Sequence, residues 1–136
     1  MKKVILLLLM TISLIAGTCT DDQFSAILSD KTNKMSSIIM LDRKIISIDT
    51  SSMKNTDHGY SVSITMIDLD SDYYLKSNVE FDRNLNHTRL LSIYEFNCSG
   101  KNSNSSNKVN PWESVGSNTM FYAVGKFVKH NTGSNR

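Results

Sequence analysis

SVSITMIDL, residues 61–69, alternates apolar and hydroxyl side chains more cleanly than any other stretch of the chain. Val62, Ile64 and Met66 fall on one side of an extended strand, and Ser61, Ser63 and Thr65 on the other. Successive side chains in a strand point to opposite faces, so this is the pattern of an antiparallel sheet with one face covered and one wet. Residues 74–82 (YLKSNVEFD) repeat it, with Leu75, Val79 and Phe81 set against Lys76, Asn78, Glu80 and Asp82. The polar run 68–72 between them reads as a hairpin turn.

Outward from this pair, residues 89–96 (RLLSIYEF) are apolar on both faces, as expected of a central strand or one beneath a helix. Residues 36–41 and 44–49 read as a hairpin about Asp42-Arg43. Residues 50–59 are a polar connection. Residues 97–110, rich in Ser, Asn, Lys and Gly, read as a turn at Ser99-Gly100 and a loose loop. A short strand at 112–115, beside the only Pro and the only Trp, closes the sheet.

Residues 117–130 then change period. Met120, Phe121, Ala123, Val124, Phe127 and Val128 share one face of a helix, with Tyr122, Gly125 and Lys126 on the other. Ser117 is the expected N-cap, Lys129 and His130 suit the negative end of the helix dipole, and Gly133 is the expected stop. Met120, Phe121, Val124, Phe127 and Val128 are its expected core. The expected architecture is α+β: five or six antiparallel strands with a C-terminal helix on one face. The surface offered to that helix is Val62, Ile64, Met66, Leu75, Val79 and Phe81.

The N-terminus reads differently. Lys2 and Lys3, an apolar run from Val4 to Met10, and the small residues Ala16, Gly17 and Thr18 form a secretory signal. The expected layout is a signal peptide over 1–20, a linker with one short helical turn over 21–35, one domain over 36–131 and a disordered tail over 132–136. Without Lys2 and Lys3 the formal charge of +2 falls to zero, which removes a global electrostatic case for nucleic acid. Two cysteines are present. Cys19 lies in a sequence close to a bacterial lipobox, and three fates compete. It is lipidated, it pairs with Cys98, or it is removed with the signal.

No motif for catalysis stands out: there is no Gly-x-Ser-x-Gly, Walker loop, Rossmann fingerprint or His-Glu-x-x-His. Asp68-x-Asp70-x-Asp72 lacks the Gly and Glu that complete a calcium loop. His58, His87 and His130 have no ligand partners at metal-binding spacing, and Cys98 sits at a turn with no helix behind it. Arg83, His87, Arg89, Lys126 and Lys129 read as solvated charge rather than a patch for an acidic partner. No metal, cofactor or enzymatic activity is expected.

Certain landmarks then occur in a suggestive order. Phe81-Asp82 end one strand, Arg89 lies on the next, and Tyr94 precedes the Gly100-Lys101 turn. Trp112 has Val115 three positions on, and Ser117 precedes the helix at 118–130. In this order the chain resembles the surface-adhesin protein E family of Gram-negative bacteria. The resemblance implies a PAS-like antiparallel sheet with the C-terminal helix across it, often dimeric. It further implies an exported surface or outer-membrane protein that binds host extracellular-matrix or plasma proteins such as vitronectin, laminin or plasminogen. Arg83 and the run Val128-Lys129-His130 stand where the family carries the two cysteines that pin helix to sheet. That loss also admits a periplasmic structural or inhibitory protein with no host ligand. A haem or small-ligand binder is the third alternative.

Overall fold

The computed structural model describes residues 18–28 and 35–133. The expected signal segment up to residue 17, the latter part of the expected linker, and residues 134–136 of the expected tail lie outside the described residues. Among the described residues the elements are α1 (Asp21–Leu28), β1 (Met35–Leu41), β2 (Lys44–Asn55), β3 (Gly59–Asp68), β4 (Tyr73–Asp82), β5 (His87–Asn97), β6 (Asn102–Ser106), β7 (Glu113–Ser114) and α2 (Met120–Gly133).

The strands form one antiparallel sheet in chain order from β1 to β6, with β7 also paired to β5. β6 and β7 share the outer edge of β5, at its two ends. The α+β, PAS-like expectation is therefore corrected. The fold is a seven-stranded, mainly β meander with two short helices. The difference comes from polar segments. Residues 50–55 and 102–106 lack apolar alternation and were expected as connections, yet they extend β2 and form β6. Backbone pairing with a formed neighbour suffices to hold such strands.

The first hairpin turns on Asp42 and Arg43, both left-handed, with φ of 48° and 61°. Two consecutive positive φ values make a type I′ turn, whose twist matches the flanking strands. Gly59 opens β3 because nothing larger fits: a Cβ there would lie 2.2 Å from the carbonyl oxygen of Phe81.

One face of the sheet is dry. Ile46, Ile48, Tyr60, Val62, Ile64, Val79 and Phe81 are buried beneath Val124 and Val128 of α2, with Leu85 beside them. The expected surface is thus largely what α2 covers. Met66 packs at its margin, and Leu75 lines a recess of about 400 Å³ with Met66, Met120 and Phe121. Phe121 and Phe127 are half-buried against the core rather than at its centre. Two details of α2 differ from expectation. Its cap is Thr119, whose hydroxyl accepts from the Tyr122 N–H at 3.2 Å, while Ser117 is exposed upstream. Gly125 faces the sheet rather than solvent, and a Cβ there would meet Phe81 at 3.0 Å and Leu85 at 3.1 Å. Gly133 is still part of the helix.

The other face carries α1, where only a single helical turn in a linker was expected. Thr20 and Gln23 start it with a reciprocal capping box: the Gln23 N–H donates to the Thr20 hydroxyl at 3.2 Å, and the Thr20 N–H to the Gln23 side chain at 2.9 Å. Phe24 and Ile27 bury against Ile45, Ile67 and Tyr74. A disulfide between Cys19 and Cys98 ties the start of the helix to the end of β5.

Candidate functional site: the polar half of the second face

Antiparallel register sorts the α1 face into rows that run across the strands. Directly paired residues share a face. The first row, Ile45, Ile67, Tyr74 and Phe96, is the apolar seat of α1. Its Tyr74 and Phe96 rings stack at 5.2 Å. The second row is Ser47, Thr65, Lys76 and Tyr94, and the third is Asp49, Ser63, Asn78 and Ser92. The fourth is Lys54, Ser61, Glu80 and Arg89. The alternation read from residues 61–69 places these hydroxyls here. The register, which no single strand reveals, joins them to their neighbours.

Rows two and three, apart from Ser92, line a trough of about 230 Å³. Its floor is held by side-chain bonds. The Ser63 hydroxyl donates to the Asn78 carbonyl oxygen, and the Asn78 amide donates to Ser92 Oγ at 2.9 Å. This chain fixes which end of the amide faces which neighbour. Asp49 Oδ1 accepts from the N–H and hydroxyl of Ser51 at 3.1 and 2.6 Å. The Tyr94 hydroxyl donates to Asn107 at 2.7 Å. Thr65 is only 4% exposed, and its hydroxyl has no hydrogen-bond partner among the described residues.

The fourth row ends in a charged cluster. The side chain of Glu80 is 5% exposed and takes Arg89 Nη2 at 2.7 Å and Nε at 2.8 Å on one oxygen. His58 Nδ1 stands 3.6 Å from the other oxygen. Arg89 lies over the Trp112 ring at 4.4 Å, and His58 meets the same ring edge-on at 5.7 Å. Burial pushes the Glu80 carboxyl up, but hydrogen bonds from Thr56 and Arg89 and the charges of Arg89 and His58 outweigh it. The net result is below the ordinary range. Asp82 behaves alike: burial raises it, and hydrogen bonds from His87 and Asn86 bring it lower.

The landmarks of the resemblance scatter among structural roles. Phe81 is fully buried core. Asp82 clamps the β4–β5 turn. Arg89 and Trp112 stack on each other, while Tyr94 belongs to the trough. Gly100 turns the chain with a φ of 87°, and Ser117 lies between β7 and α2. Two of the basic residues rest on rings: Arg83 lies over Tyr60 and Lys126 over Tyr122. Asp70 pairs with Arg43 at 2.9 Å across neighbouring turns. Among the described residues no group of His, Cys, Asp and Glu is placed to hold a metal ion. Sequence reading did not single out the trough, because its members come from four strands and none is distinctive alone.

No protein-family model matches the chain, and no curated protein or solved structure matches it.

Proposed function

We propose that the protein is an exported, non-catalytic binding module displayed at the cell surface or outer membrane, with host extracellular-matrix or plasma proteins as its ligands. The observation that carries this reading is the polar trough on the α1 face. An ordered, hydrogen-bonding surface stands beside a seat that a helix covers. Nothing in the packing of the described residues requires this part of the face to be polar, whereas binding does. The Cys19–Cys98 disulfide supports export, because such bridges persist in oxidising compartments. The landmark order from Phe81 to Ser117 supports the ligand class.

The bridge also narrows the fates of Cys19. A sulfur in a disulfide cannot carry a lipid thioether, so the reading takes Cys19 as retained and unlipidated. Intact mass of the protein from its native membrane fraction tests this. The oxidised, lipid-free mass is expected, and an added lipid mass would refute it. Solid-phase binding of the oxidised protein to vitronectin, laminin and plasminogen tests the ligand class. Signal no greater than that of an unrelated exported protein would sink it. Protease treatment of intact cells tests display, since a resistant protein would belong to the periplasm.

A further inference from the structure

We infer that the trough of rows two and three is a site for a neutral saccharide. This rests on the binding-module reading and names the ligand chemistry of that module. Three observations converge on it. The first is the Thr65 hydroxyl, more than nine-tenths buried and without a hydrogen-bond partner among the described residues. A buried hydroxyl left in that state is destabilising, and a ligand hydroxyl satisfies it. The second is the composition of the lining. Ser63, Thr65, Asn78 and Tyr94 both donate and accept, and the charged lining residues, Asp49 and Lys76, are one of each sign. A ring bearing several hydroxyls matches such a surface. An inorganic anion would meet Asp49 as well as Lys76, and an apolar ligand would strand the hydroxyls. The third is preorganisation. The Asn78 amide is held between Ser63 and Ser92, and Asp49 is held on one oxygen by Ser51, leaving Oδ2 for a ligand donor. Tyr94, anchored through Asn107, supplies the aromatic residue against which the C–H side of a sugar packs. The trough of about 230 Å³ is smaller than the roughly 300–1,000 Å³ of drug-sized ligand pockets. That size suits one sugar unit of a longer glycan.

The test is a titration of the isotope-labelled, oxidised protein, followed by amide chemical shifts. The probes are neutral di- and trisaccharides of glucose, galactose, mannose and N-acetylglucosamine, with sodium sulfate and sulfated oligosaccharides in parallel. At least one neutral saccharide is expected to shift Ser47, Ser63, Thr65, Lys76 and Asn78 together. Thr65→Val, which keeps the shape and removes the hydroxyl, should weaken that binding by about fivefold or more. Asn78→Ala gives a second reading should Thr65→Val not fold. No response to any neutral saccharide overturns the inference. So does a response to sulfate alone, or wild-type affinity in folded variants of both residues. Coating host glycoproteins before and after enzymatic deglycosylation separates this inference from the reading it rests on. Binding that survives deglycosylation refutes the saccharide and leaves the module standing. Saccharide shifts without any host-protein binding refute only the host ligand.

Discussion

The two helices attach to opposite faces of the sheet by different means. α2 has 14 residues and lays Val124 and Val128, both fully buried, across a dry face. α1 has 8 residues and offers two buried side chains, Phe24 and Ile27. Each large apolar side chain contributes about 1.5–3 kcal/mol when fully buried, and a helix this short is not stable alone. The longer helix holds by packing without a covalent tie. The shorter one has a capping box and a disulfide. No cysteine lies on α2. A bridge exists, but it serves the other helix.

Breaking the bridge tests this contrast most directly. Cys19 and Cys98 are 79 residues apart, and closing such a loop contributes about 4.5 kcal/mol in the chain-entropy model. Reductant, or Cys19→Ser with Cys98→Ser, should lower the melting temperature markedly. Hydrogen exchange should accelerate in α1 more than in α2. A melting temperature indifferent to reductant would show that the bridge does not form. On the other face, Phe81→Ala removes a fully buried ring that also seats Gly125. It should cost about 3–5 kcal/mol in denaturant unfolding, under reducing and oxidising conditions alike.

Phe127→Ala sharpens the picture of α2. Its ring is half-buried, so the cost should be about 2 kcal/mol. A loss under about 1 kcal/mol would mean that α2 is not docked through this side chain. The smallest expected effect is on the acid side. Glu80 and Asp82 both titrate below their ordinary range in the folded protein. The unfolded chain therefore binds more protons as pH falls. Their stabilisation is complete above the unfolded carboxyl values and is lost as pH drops through the lower folded ones, below about pH 4. Stability measured from pH 6 downward should show this decline, and Glu80→Gln should flatten it. An unchanged slope in that variant would remove Glu80 from the account.

Much of this was legible because the signals are local. The alternation at 61–69 identified which side chains share each face of β3, although Ser61 and Thr65 on the face expected to be wet are buried as well, and the helical spacing after residue 119 identified Val124 and Val128. The start of α1 carried a signal that the linker reading passed over: Thr20-Asp21-Asp22-Gln23 is a capping-box pattern before Phe24 and Ile27. Ser117 was the expected cap, but Ser and Thr both cap well and the backbone path selects Thr119. β6 left no signal, since Asn102–Ser106 has no apolar side chain to alternate. Gly125 looked solvent-facing on an ideal helical wheel. The bulk of Phe81 and Leu85 beneath it is what requires a residue with no side chain.

The sequence by itself determined the strands with an apolar face, the amphipathic α2 and the near-neutral charge. Backbone geometry fixes periods of two and of 3.6 residues, and any chain with these patterns must obey them. Only the tertiary structure decided that Cys19 meets Cys98, that the sheet is a seven-stranded meander, and that hydroxyls from separate strands gather around Thr65. Those facts depend on register and on contacts between residues far apart in the chain. A strand's own alternation says which face a side chain joins, but not which neighbours it will find there.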